Sequence, residues 1–175
     1  MVESSYATMI RTGFFSVRRQ QTGFTLIELM VTVTIAAILA ALATPSFKSL
    51  IVRQRIKNAS ADLVSHLTLS RSEAIKQNSD VTIASTTNNN SWANGWSINS
   101  LGGTVGTHAA FVGLTISTGV GGSSSLVFNR SGRLTASSAS TTFQIGDATS
   151  GSAVIGRCVR IGLAGLATSV DGSCQ

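Results

Sequence analysis

The sequence predicts an α+β chain: a long N-terminal α-helix, its first half able to span a membrane, packed on an antiparallel β-sheet domain. Three observations predict it. Apolar and small residues run from Phe24 to Ala43, with Glu28 the single charge among them. Further on, Ile56, Ala59, Leu63, Leu67, Ser70 and Ala74 recur at intervals of three and four, a helical stripe that needs a partner surface. From Asp80 the pattern changes to short alternating stretches separated by Gly, Asn and Ser, which read as antiparallel strands.

The first 23 residues carry Arg11, Arg18 and Arg19 against one acid, Glu3, a basic leader expected to stay on the cytoplasmic side. A secretory signal would continue with a short apolar core and a small-x-small cleavage site. Here the apolar run starts only after Gly23 and is twenty residues long. At 1.5 Å per residue that is about 30 Å, the thickness of a hydrocarbon core. Glu28 is costly inside such a segment, so it calls for a partner.

Pro45 follows the run and is expected to kink the helix without ending it. Lys48, Arg53, Arg55 and Lys57 form a basic cluster beyond it, read either as contacts to anionic lipid headgroups or as a solvated helix face. The helix is expected from Phe24 to about Asn78, roughly 80 Å long. Strands are expected at Val81–Ser85, Trp96–Asn99, Phe111–Ser117, Ser125–Asn129, Thr141–Ile145 and Val154–Leu163, with loops at Thr86–Asn90 and Gly119–Ser125. Trp92 and Trp96 read as aromatic packing at a strand start.

Catalytic chemistry finds no constellation in the chain. Its two histidines, His66 beside the stripe and His108 in a Gly/Thr/Ala segment, accompany no HExxH, GxSxG, P-loop or paired carboxylates. Asp62, Glu73, Asp80, Asp147 and Asp171 are scattered, without calcium-loop spacing, and no cofactor motif occurs. Charged residues make up only 11% of the chain; without the leader its formal charge falls from +6 to +4. That is mildly basic, short of a dedicated nucleic-acid binder. Cys158 and Cys174, in an exported chain, are most simply a disulfide.

Two sets of residues carry a resemblance. The order of basic leader, Gly23, Phe24-Thr25-Leu26-Ile27-Glu28 and apolar helix resembles the class III signal of type IV prepilins and pseudopilins. Downstream, Leu69-Ser70-Arg71-Ser72-Glu73-Ala74-Ile75-Lys76 precedes the strand Val81-Thr82-Ile83. Trp92-Ala93-Asn94-Gly95-Trp96, Leu126-Val127-Phe128-Asn129-Arg130-Ser131-Gly132-Arg133 and a late Arg-Cys-Val-Arg-Ile strand follow in order. Together these resemble the GspH/FimT family of minor pseudopilins and minor pilins.

The resemblance implies a type IV pilin-like fold, divided into a leader (1–23), a membrane and filament-core helix (24–44), its amphipathic continuation (45–78) and a periplasmic β-rich domain (79–175). It implies cleavage by a prepilin peptidase between Gly23 and Phe24, with methylation of the new Phe24 amine. Met1 and Met9 both remain candidate starts. A glycine at the cut lets a protease approach the backbone closely. Glu28 would then pair with the N-terminal amine of a neighbouring subunit, setting filament register.

The implied location is the bacterial inner membrane, crossed once, with the C-terminal domain in the periplasm. The implied partners are other pseudopilins or minor pilins of a type II secretion system or a type IV pilus. The alternative is DNA uptake, which some FimT-like members perform with a Gly-Arg-x-Arg motif. This chain has Gly156-Arg157-Cys158-Val159-Arg160, whose longer spacing puts Arg157 and Arg160 on opposite faces of a strand, and Gly165-Leu166-Ala167 lacks arginine. Arg130 and Arg133 complete the candidate phosphate contacts. A membrane-anchored binding domain that is never processed at Gly23 is the third reading.

Overall fold

The computed structural model describes residues 23–87, 91–119, 122–135, 141–149 and 151–175, except for the side chains of 43–46. The chain divides into two compact units, one ending at Leu42 and one running from Ala43 to Gln175. Helix α1, Leu26–Gln77, contributes to both. It continues through position 45; the kink expected at Pro45 lies outside the described side chains, as the leader lies outside the described residues. Its C-terminus closes on Asn78 at φ 48°, where Asn78 N–H donates to Ile75 O (3.3 Å) and Ser79 N–H to Ala74 O (3.2 Å). That is a Schellman cap, with asparagine in the left-handed position usually given to glycine.

In the first unit, the apolar residues from Phe24 to Leu42 are exposed, and none is buried by the chain itself. The stripe on the second half of α1 behaves oppositely. Ile56, Ala59, Leu63, Leu67, Ser70 and Ala74 are each 2% exposed or less. Ser70 tolerates this because its hydroxyl donates to His66 O at 2.8 Å, which satisfies the one polar group in the stripe.

The partner surface is two four-stranded sheets, antiparallel throughout. The first has the order β3-β2-β1-β5, with β1 at Val81–Ser85, β2 at Trp96–Ser100, β3 at Gly103–His108 and β5 at Ser125–Phe128. The second has the order β4-β6-β7-β8, with β4 at Leu114–Thr118, β6 at Thr141–Asp147, β7 at Arg157–Ile161 and β8 at Ala167–Asp171. Alternate residues turn inward, Val81, Ile83, Trp96, Ile98, Leu126 and Phe128 from the first sheet. Ile116, Phe143, Ile145, Val159 and Ile161 come from the second. Trp92, in a 3-10 turn at Trp92–Asn94, meets Phe143 edge-on at 5.0 Å and Trp96 at 6.3 Å, so aromatic rings fill the seam between sheets.

Strands β3 and β8 were not expected from the sequence. Both lie at sheet edges, where one side of the ladder is open and burial imposes little alternation. The strand expected from Phe111 begins only at Leu114, because Gly113 turns the chain at φ 76°. The strand expected over Val154–Leu163 narrows to Arg157–Ile161.

The end of α1 is tied to the sheets through two glycine turns. In the turn after β5, Asn129 Oδ1 accepts from Ser131 N–H (3.0 Å) and Arg133 N–H (3.1 Å), while Gly132 adopts φ 72°. Arg71 Nε, on α1, donates to Gly132 O at 3.0 Å. A side chain on Gly132 would run into Ile75 and Arg71; one on Gly165, in the β7–β8 turn, would run into Gly132 O. Leu134 N–H donates to Leu163 O (3.0 Å), joining the same two turns.

The expected disulfide is present: Cys158 and Cys174 are bonded across a sequence separation of 16, with Cα atoms 5.1 Å apart. Gln144 fastens the same tail, its Oε1 accepting from Cys174 N–H at 2.7 Å.

Thermal unfolding tests both features. Gly113 and Gly165 share nearly the same positive φ, 76° and 75°, but only Gly165 is crowded. Gly113→Ala should lose about 1–2 kcal/mol from the left-handed backbone alone. Gly165→Ala should lose a further ~1–3 kcal/mol from overpacking. Equal losses would refute the stacked-turn account. Reductant should lower stability by about 3 kcal/mol, the loop-closure contribution of the disulfide, and thiol reagents should label the protein only after reduction.

Candidate functional site

The head of α1 is built by its own first turn. Thr25 is the N-cap: Glu28 N–H donates to Thr25 Oγ1 (3.2 Å), and Thr25 N–H and Oγ1 donate to Glu28 Oε2 at 3.4 and 3.3 Å. This Thr-x-x-Glu box satisfies donors that the first turn would otherwise leave free. It was legible in the spacing of Thr25 and Glu28, yet sequence reasoning assigned Glu28 only to an intersubunit pair. The two uses are compatible, because Oε1 has no partner among the described residues and the side chain is exposed. Behind this head, α1 carries a window of mean hydropathy 2.4 with no residue buried, long and apolar enough to cross a membrane. Gly23, Phe24 and Glu28 thus lie within six residues at the exposed tip of one apolar helix.

The candidate phosphate-contacting arginines do not converge on one face. Arg157 lies on the α1 side of β7, where Nη1 pairs with Asp171 Oδ1 at 2.8 Å and Nε donates to Ser169 Oγ at 3.1 Å. Arg160 is exposed on the opposite face, with Nη2 donating to Gln175 O at 3.4 Å. Arg130 and Arg133 are exposed at the turn after β5. On β7 Arg157 shares its face with Val159 and Ile161, and Arg160 shares the other with Cys158, so the two guanidinium groups cannot clamp one phosphate together. Arg71, which sequence reasoning passed over, is half-buried and ties α1 to Gly132; no local signal marked it, because its acceptor is 61 residues away.

His108 ends β3 rather than lying in a loop, as the sequence had suggested. Its ring stacks on Trp96 and on Phe111, each at 4.5 Å and 23°, and Nε2 sits 3.5 Å from Asp62 Oδ2 on α1. His66 meets Trp96 edge-on at 5.7 Å and donates from Nδ1 to Asp62 O at 2.8 Å. These histidines pack the β3–β4 connection onto α1, with no nucleophile between them.

Hydrogen bonds from Gln77 and Lys76 hold the Glu73 carboxyl below its ordinary value, and those from Ser152 and Thr149 do the same for Asp147. A cavity of about 590 Å³ beside β4 is lined by Ser91, Asn94, Phe111 and strand residues, none of them titratable. Among the described residues no group of three His, Cys, Asp or Glu side chains could hold a metal ion.

Comparison with known proteins agrees with this anatomy. The profile of the family described as Type II transport protein GspH matches residues 59–165, and that of the prokaryotic N-terminal methylation motif matches residues 18–44. No curated protein sequence matches the chain. Among solved structures it is similar to the type IV minor pilin FimU of Pseudomonas aeruginosa in two crystal forms. One superposes with a TM-score of 0.53 at 26% identity, over 65% of this chain and 91% of that one. The other gives 0.54 at 26% identity, over 66% and 88%. The minor pseudopilin EpsH from the type 2 secretion system of Vibrio cholerae shares the fold, with a TM-score of 0.52 at 15% identity over 67% of this chain and 97% of that one. The GspH profile spans more than half of the chain and covers α1 from Ala59 through the β7–β8 turn, and on that ground the chain belongs to the GspH family of type II transport proteins.

Proposed function

We propose that the chain is a minor pseudopilin or minor pilin, a structural subunit of a filament belonging to a type II secretion system or a type IV pilus. The observation that carries this reading is the exposed apolar half of α1, headed by the Thr25–Glu28 capping box and joined to a GspH-type domain. Nothing within the described residues covers that half-helix, so it needs a lipid or protein environment.

The leader (1–23) is removed between Gly23 and Phe24 by a prepilin peptidase, and the Phe24 amine is methylated. Residues 24–44 anchor the subunit once in the inner membrane and later join the filament core; residues 45–78 continue the helix, and 79–175 form the periplasmic domain. Glu28 presents its free oxygen to the N-terminal amine of a neighbouring subunit. Other pseudopilins or minor pilins supply that amine and the packing surface for the helix. The protein itself performs no catalysis and uses no cofactor. DNA uptake is not adopted, since no arrangement of Arg130, Arg133, Arg157 and Arg160 favours it.

The intact mass of the membrane-extracted protein should correspond to a chain starting at Phe24 plus one methyl group. A mass retaining residues before Phe24 would overturn the processing step. Glu28→Gln keeps an acceptor for the capping box while removing the charge, whereas Glu28→Ala removes both. Both variants should be processed normally yet lose co-purification with partner subunits. Retention of partners by Glu28→Gln would show that capping, not charge pairing, is what Glu28 contributes.

A further inference from the structure

The assembly reading leaves unused four cations just past the apolar run. Lys48, Arg53, Arg55 and Lys57 are all exposed, and none of them forms an ion pair among the described residues. Interleaved with them, Phe47, Leu50 and Ile51 are 63%, 61% and 38% exposed.

At 3.6 residues per turn, Phe47, Leu50, Ile51 and Gln54 fall within an arc of about 100°, opposite the buried stripe through Ile56, Ala59 and Leu63. Arg53 and Lys57 flank this arc on one side, Lys48 and Arg55 on the other. Strand β7 extends the first flank: Arg53, Lys57, Arg157 and Asp171 line a groove of about 370 Å³. Asp171 is already paired with Arg157, so Arg53 and Lys57 remain as the uncompensated charges there.

An exposed apolar arc with cations on both flanks suits the plane of a bilayer surface. The apolar side chains enter the acyl–headgroup boundary, and the long cationic ones reach the phosphates. An acidic protein segment would ask for cations converging on one point; here they diverge across the arc, and the one convergent place holds Asp171. The segment also starts only four residues after Ala43, so an anchored chain presents it to the membrane at high effective concentration.

We infer that the face of α1 from Phe47 to Lys57 docks on the headgroups of anionic phospholipids before the subunit enters a filament. This rests on the membrane-anchor reading of residues 24–44. Docking holds the domain against the surface and keeps the apolar arc out of water until helices of neighbouring subunits replace the lipid.

The test uses the full chain in bilayer discs of phosphatidylcholine, alone or mixed with phosphatidylglycerol. With the native disulfide closed, a single spin label goes to Gln54→Cys on the arc or Ile35→Cys in the anchor. The Gln54→Cys label should be more shielded from a water-soluble relaxation agent in anionic discs than in neutral ones, and high salt should reverse this. Replacing Arg53, Arg55 and Lys57 by Gln should lower the ratio of shielded to exposed label by about fivefold per charge removed.

Equal shielding in both lipids, with Ile35→Cys immersed, would overturn the docking while leaving the anchor intact. Water exposure of Ile35→Cys in both would overturn the anchor itself. Glutamine variants that keep lipid shielding but lose partner subunits would overturn the docking in favour of an acidic protein partner.

Discussion

The folded domain depends on burying one stripe of α1 against two sheets at once. Ile56, Leu63 and Leu67 are almost fully removed from water, each contributing about 1.5–3 kcal/mol. Against a net stability of about 5–15 kcal/mol for a small domain, those three side chains are decisive. Each sheet has only four strands and one inward face, so neither could shelter that face alone. The Arg71–Gly132 hydrogen bond and the stacked turns at Gly132 and Gly165 then set where the helix end rests.

One helix thus carries two opposite burial patterns. Up to Leu42 its apolar residues face outward all round, and from Ile56 most of them face inward along a narrow stripe, with Leu69 and Ile75 exposed beside it. From Phe47 to Arg55 polarity reverses, and there exposed apolar and cationic side chains are interleaved. The same backbone geometry therefore carries both patterns, and side-chain sequence alone distinguishes them.

Much of this was legible because burial imposes a period. All six stripe residues were named from their spacing and are buried, since a helix pressed on a flat surface accepts apolar groups only every third or fourth position. Val81–Ser85 matched its strand at both ends because it lies between two neighbours in the first sheet. Two of the four edge strands escaped detection for the converse reason: Gly103–His108 and Ala167–Asp171 bury no residue, so polar or glycine residues are tolerated there, whereas edge strands β4 and β5 alternate buried with less buried residues. At the candidate site, the Gly23–Phe24–Glu28 order was a local pattern and could be read directly. Arg71 and Gln144 could not, because their acceptors and donors, Gly132 and Cys174, are distant in sequence and meet them only on folding.

The disulfide makes the domain's last element conditional on its surroundings. Cys158 lies within β7, whereas Cys174 lies beyond β8, so the bond encloses the β7–β8 turn and all of β8. In a reducing compartment the β7–β8 hairpin would be held by its ladder, the Arg157–Asp171 pair and Gln144. The reduced chain would then be looser at its C-terminus than the oxidised one. Oxidation acts as a latch on that tail, so the rigidity of this end of the domain follows the redox state around it.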